Sequence, residues 1–269
     1  MSCWITGDTH QWETFDHVRA FAENEGKNLT KDDYLIICGD VGILWNYKET
    51  GEYVPSNPKD KCWVRREIEL YNWFNNAPWT TLFVLGNHSN YDRWETYPIS
   101  EWHGGHVQKI SDSIIHLMRG EIYEIDGKTI FTFGGAQSTD RGAIKGEEAA
   151  KWVKGKWWWP QEIPSTDEIN HAMENLAKYN DKVDYVITHD CPLDTKYMLY
   201  CGIHDYYNNV YANKVSEMLQ SINNIIDYKR WFCGHLHVDQ AIGKVMITYR
   251  KVYPIDFDPY EEWEEVLKN

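Results

Sequence analysis

Trp4-Ile5-Thr6-Gly7-Asp8-Thr9-His10 is an apolar run that stops at a glycine and then delivers an acidic residue and a histidine, one position apart. It reads as a short buried strand. In an extended segment, residues i and i+2 point to the same side, so Asp8 and His10 reach one point just past the strand end. A carboxylate oxygen and an imidazole nitrogen converging there begin a site for a divalent metal.

The pattern recurs down the chain. Tyr34 to Cys38 runs into Gly39-Asp40, Thr81 to Leu85 into Gly86-Asn87-His88, and Arg230 to Cys233 into Gly234-His235-Leu236-His237. A further run, Tyr185 to Thr188, delivers His189. Continuous apolar runs of this length suit strands buried on both faces, as in a parallel sheet covered by helices. Ligands of such sheets bind beyond the carboxyl ends of the strands.

Taken in order, Asp8-Thr9-His10, Gly39-Asp40, Gly86-Asn87-His88, His189 and Gly234-His235-Leu236-His237 resemble the motifs of the calcineurin-like metallophosphoesterase family. The resemblance spans residues 4 to about 250. It implies an α/β fold, a four-layer α/β/β/α sandwich with two mixed sheets. It also implies a two-metal centre. Asp8, His10, Asp40 and His237 would hold one ion, and Asp40, Asn87, His189 and His235 the other, with Asp40 as the bridge. His88 would act on the leaving oxygen or on charge in the transition state.

One position departs from the family pattern. The residue after the motif histidine is usually acidic, and here it is Ser89. Asp92, three residues on, is the expected substitute support for His88. Marks of the protein serine/threonine phosphatase branch are missing: no Asp-Arg-Gly follows Asp40, and no Arg precedes Gly86. Arg141, after Gly134-Gly135, is a candidate for contacting substrate phosphate through a bidentate fork. Oxygen and nitrogen donors of this kind suit Mn, Fe, Zn or Ni. Mn is the expected metal, and the absence of Cys from the set argues against a closed structural zinc site.

Composition bounds the function further. The 269 residues carry a net charge of -14 with no Lys/Arg-rich run, which argues against extended nucleic acid or a membrane surface as partner. The six cysteines show no Cys-x-x-Cys pair. A reduced, cytoplasmic location is expected, because the first strand starts almost at Met1 and leaves no room for a leader. No apolar run approaches the ~20 residues of a membrane span. Hydrophobic residues at 42% allow a sizeable core, and with no repeat or linker visible, residues 1–269 are expected to form one domain.

Along the chain, Phe15, Val18, Phe21 and Ala22 mark a helix closed by Gly26, and Val64, Ile68, Tyr71 and Phe74 a second, stopped by Pro78. Residues 114–117, 121–125 and 128–133 read as strands, the last two joined by an Asp126-Gly127 hairpin turn. Ser165 and Glu168 have capping-box spacing ahead of a further helix. Val215, Met218, Leu219 and Ile222 mark the last helix, and Gly243-Lys244 a final hairpin. Residues 46–60 and 191–209 read as loops beside the site. Residues 143–164 form a Trp-rich loop or short helix whose rings either stack on a base or pack in the core. His103, His106, His116, His171 and His204 read as surface or structural.

The expected function is metal-dependent hydrolysis of a phosphate mono- or diester in a small substrate. The alternatives are a nuclease or nucleotide phosphodiesterase acting on short substrates, and a non-catalytic scaffold of the same fold that binds a protein.

Overall fold

Strand register decides where the site forms. The computed structural model describes residues 1–10, 14–45, 61–138, 158–200 and 213–261, with 61–63 as backbone alone. The first half of the chain forms β1 (Cys3–Thr6), α1 (Asp16–Glu23), β2 (Tyr34–Ile37), α2 (Lys61–Asn76), β3 (Thr80–Phe83), α3 (Tyr91–Trp94), β4 (Ile99–Trp102), β5 (Gly105–Ser111) and β6 (Ile114–Leu117). The second forms β7 (Glu121–Ile125), β8 (Lys128–Phe133), α4 (Thr166–Lys178), β9 (Tyr185–Thr188), α5 (Leu193–Leu199), α6 (Lys214–Asn223), β10 (Arg230–Cys233), β11 (Gln240–Ile242), β12 (Val245–Ile247) and β13 (Tyr253–Pro254).

Among the described residues the strands make two mixed sheets, in the orders β13-β1-β2-β3-β6-β5-β4 and β11-β12-β10-β9-β8-β7. In the first sheet Thr6 pairs with Ile37 and Ile37 with Phe83, all in parallel strands. The three strands therefore end level, and the segments holding Asp8, Asp40 and Asn87 leave from the same edge. In the second sheet Ile187 pairs with Phe232, again in parallel, so the segments holding His189 and His235 leave together.

Three apolar layers follow from this. Ile5, Ile36, Leu82 and Ile115 of one sheet meet Tyr123, Ile130, Ile187 and Phe232 of the other in the central core. Phe15, Val18 and Phe21 of the first helix and Leu70 and Phe74 of the second cover the outer face of the first sheet. Ala172, Leu176, Val215 and Leu219 of α4 and α6 cover the second. Burying a side chain of this size stabilises by about 1.5–3 kcal/mol. The result is a metallophosphatase-like sandwich with helices outside and two sheets inside.

Several elements differ from expectation. β4 and β5 were not legible, because Ile99–Trp102 is exposed and carries no alternating pattern. The helix after His10 ends at Glu23, and Gly26 sits in a following 3-10 turn, Glu25–Asn28. Residues 193–199 are helical where a loop was expected: the Lys196 ammonium is buried against Asp190, and that contact fixes the turn. Of the Trp-rich segment, Trp159 is buried in the core ahead of a 3-10 turn, Pro160–Glu162. Arg141, Trp152, Trp157, residues 46–60 and residues 201–209 lie outside the described residues.

Candidate metal centre

Asp8 and Asp40 are both buried, at 0% and 2% exposure. Neither carboxylate meets a Lys or Arg among the described residues; their ion-pair partners are His10, His189 and His237. Backbone amides aim them. His88 N donates to Asp40 Oδ1 at 2.8 Å, and His235 N donates to Asp8 Oδ1 at 3.0 Å.

Around Asp8, His237 Nε2 lies 2.9 Å from Oδ2, and His10 Nε2 lies 3.6 Å from the same oxygen and 2.9 Å from His237 Nε2. Around Asp40, His189 Nε2 lies 3.2 Å from Oδ2 and 3.1 Å from Asn87 Oδ1. Asp8, His10 and His237 thus converge, as do Asp8, Asp40 and His189. His235 stands beside the second group, its ring centroid 5.0 Å from that of His189. Asp8 belongs to both groups, and Asp40 Oδ2 also lies 3.9 Å from His10 Nε2. Both carboxylates therefore lie between the two groups.

The donor set fits divalent cations. His189 Nδ1 sits 2.7 Å from the carbonyl oxygen of Cys38, so it carries the hydrogen. A neutral ring then presents a bare Nε2 to Asp40 Oδ2 and Asn87 Oδ1, both lone-pair acceptors. A cation among these atoms resolves the conflict. In its absence the charge balance falls on protons. Burial lowers the His189 pKa, but Asp40 and Asp8 outweigh it and raise the value to about 10. Burial opposes ionisation of Asp8 and Asp40, yet the surrounding imidazoles, His189 foremost, hold both below the usual carboxylate range. His235 is pushed the other way, to about 4, by burial.

The strand-end glycines are required by close approach. A Cβ on Gly86 would collide with Asp40 and His189, and one on Gly234 with Asp8. Four of the ligand candidates, His10, Asp40, His235 and His237, have positive φ between 37° and 65°. Non-glycine residues in that region cost about 1–3 kcal/mol each and collect at functional sites.

Outside the two groups, the His88 ring is exposed, with its centroid 5.4 Å from that of His10 and 6.3 Å from that of Trp45. Asp92 does not reach it. That carboxylate is exposed in the first turn of the short helix capped by Asn90, and it forms no ion pair with His88. Ser89 is buried instead, its hydroxyl accepting from Gly86 N at 3.1 Å, and so closes the turn that presents His88. Two features were missed in the sequence. Tyr249 stacks on His237 at 4.7 Å and 12°, which sets the ring plane. Asp190, next to His189, is buried with Lys196 at 2.7 Å and Asn213 at 3.2 Å, tying the starts of α5 and α6 to the site. Asp and Lys six positions apart in sequence carry no signal for such a pair.

The calcineurin-like phosphoesterase profile matches residues 1–239, and the chain belongs to that family. A candidate 5′-nucleotidase from Staphylococcus aureus superposes over 99% of this chain and 57% of its own, at 12% identity and a TM-score of 0.44. This chain therefore spans a little over half of that one. A protein of unknown function from Aquifex aeolicus superposes over 98% of both chains, at 12% identity and a TM-score of 0.35. No curated protein sequence matches the chain.

Proposed function

We propose that the protein is a metal-dependent hydrolase of small phosphate esters. In this reading Asp8, His10, Asp40 and His237 hold one divalent ion and Asp40, Asn87, His189 and His235 a second, with Mn the leading candidate and Fe, Zn or Ni compatible. The observation that carries it is the pair of buried carboxylates whose ion-pair and hydrogen-bond partners among the described residues are imidazoles and backbone amides. When bound, the ions supply Lewis acidity and a water acidified toward neutral pKa.

The residues around them have separate tasks. His235, whose value is held near 4, stays neutral at pH 7 and keeps one ring nitrogen free to ligate. His10 and His237 border solvent while Asp8 and His189 are fully covered, so substrate approaches from the His237 and His88 side. His88 donates a proton to the leaving oxygen from that open side. The intact ligand set favours catalysis over a non-catalytic scaffold. The acidic balance of the chain favours small esters or short oligonucleotides over long nucleic acid. One domain and a cytoplasmic location belong to the same reading, supported by free Cys3, Cys38, Cys191 and Cys233.

The test is metal analysis of purified protein together with turnover of a matched aryl phosphomonoester and diester, before and after chelation. Hydrolysis is expected to vanish on chelation and return with Mn. Unchanged hydrolysis after complete stripping, or no hydrolysis of either ester by the reloaded protein, would overturn the proposal.

A further inference from the structure

A second cluster of ligating atoms lies on other elements. His106 is on β5 of the first sheet, Glu121 on β7 at the edge of the second, and His171 on α4. His106 Nδ1 lies 2.9 Å and His171 Nε2 2.8 Å from one oxygen, Oε1 of Glu121. The Glu121 side chain is only 7% exposed, and its ion-pair partners are these two histidines alone among the described residues. The two sheets meet closely here: a Cβ on Gly105 would press on Tyr123 and Glu121.

Hydrogen counting shows what is missing. Lys178 Nζ donates to Asn175 Oδ1 at 2.8 Å, which turns the Asn175 amide nitrogen toward Gly120 O, at 2.8 Å, and His171 Nε2, at 3.0 Å. Asn175 thus donates to His171 Nε2, which must then offer a lone pair. The same nitrogen faces a carboxylate oxygen at 2.8 Å. Two lone pairs at that separation repel. If Nε2 instead carries a hydrogen for Glu121, it meets the Asn175 N–H head on. A cation between imidazole and carboxylate takes up the Nε2 lone pair and removes that repulsion, leaving the Asn175 amide to donate to Gly120 O at 2.8 Å.

We propose that His106, Glu121 and His171 form a site for one divalent transition-metal ion of the Zn2+ class, separate from the strand-end centre. Two imidazoles and a carboxylate are a known donor set for that class, and solvent completes the shell. The rings are half-exposed, with His106 at 48% and His171 at 41%, so an ion has a path in. It would clip β5, β7 and α4 together, two strands to the side of β3 in one sheet and of β9 in the other.

The experiment is Zn2+ titration of chelator-stripped full chain by equilibrium dialysis, with Co2+ absorption as a second readout. Wild type is expected to bind one equivalent more than His106→Ala or His171→Ala. Both variants should keep the wild-type circular dichroism spectrum and Mn-dependent hydrolysis. Asp40→Asn, which weakens the other centre, should retain the extra equivalent. Equal stoichiometry and affinity in wild type and both histidine variants would overturn the proposal and leave the imidazoles as hydrogen-bond donors to Glu121. That outcome would not touch the phosphoesterase reading, because none of its ligands is altered.

Discussion

A carboxylate buried without Lys or Arg is stable only if something else supplies positive charge, and among the described residues Asp40, in the middle of the candidate centre, has only imidazoles as ion-pair partners. Its Oδ2 faces both His189 and His10, whereas Asn87 faces His189 alone among the ligand candidates. Asp40→Asn is therefore expected to lose more bound metal than Asn87→Ala, and equal metal content of the two purified variants would argue against a shared role for Asp40. His88 differs in kind: its ring is exposed and packs edge-on against His10, and its hydrogen bond to a ligand candidate is made by its backbone N–H to Asp40. His88→Ala should lower kcat by about 10²–10⁴-fold, the usual scale for a general acid, and leave metal content unchanged. Asp92→Asn should give a pH–rate profile that overlays wild type, because Asp92 makes no hydrogen bond or ion pair with that ring. A displaced limb in the Asp92→Asn profile would show that the carboxylate reaches His88 during turnover.

At the scale of elements, the parallel strands deliver ligands, and the strands beside them bury titratable groups away from water. His116 on β6 is an example. It is buried against Phe83 and Trp94, with Nδ1 2.8 Å from Gln108 Oε1, so it donates as a neutral ring. Burial, helped by Arg119, depresses its pKa from 6.5 to about 3. The unfolded chain then takes up the proton first as pH falls. The stabilising contribution is complete above pH 6.5 and is lost progressively toward pH 3. The slope is at most about 1.4 kcal/mol per pH unit. Urea midpoints measured from pH 7 to pH 5 are expected to fall less steeply in His116→Gln than in wild type; parallel curves would assign the acid sensitivity to other groups.

At the scale of the whole molecule, the ligand candidates come from both sheets, so metal binding is coupled to the packing of one sheet on the other. Asp8, Asp40 and Asn87 follow strands of the first sheet, and His189, His235 and His237 follow strands of the second. A cation that binds only the folded chain stabilises it by about 2.7 kcal/mol at a hundred times its Kd. For a chain of this size that corresponds to a rise of about 5 °C or more in Tm. Mn added to stripped wild type should produce such a rise and a smaller one in Asp40→Asn. The same rise in both would place the stabilising ion elsewhere.

The strand runs, their terminal glycines and the residues they deliver were legible because each is a local pattern: apolar over about four residues, then a turn, then a ligand type. Local spacing is enough to say that Asp8 and His10, or His235 and His237, leave a strand end together. What meets across the sheets depends on how the folded strands pack. His237 reaches Asp8 and His189 reaches Asp40 because parallel register levels the strand ends, and register depends on contacts between segments far apart in the chain. Asp92 is well spaced in sequence to support His88, but it falls in the first turn of a helix capped by Asn90 and makes no ion pair with His88 among the described residues. The meeting of His106, Glu121 and His171 is likewise tertiary, since strands of two different sheets and a helix face share no sequence period.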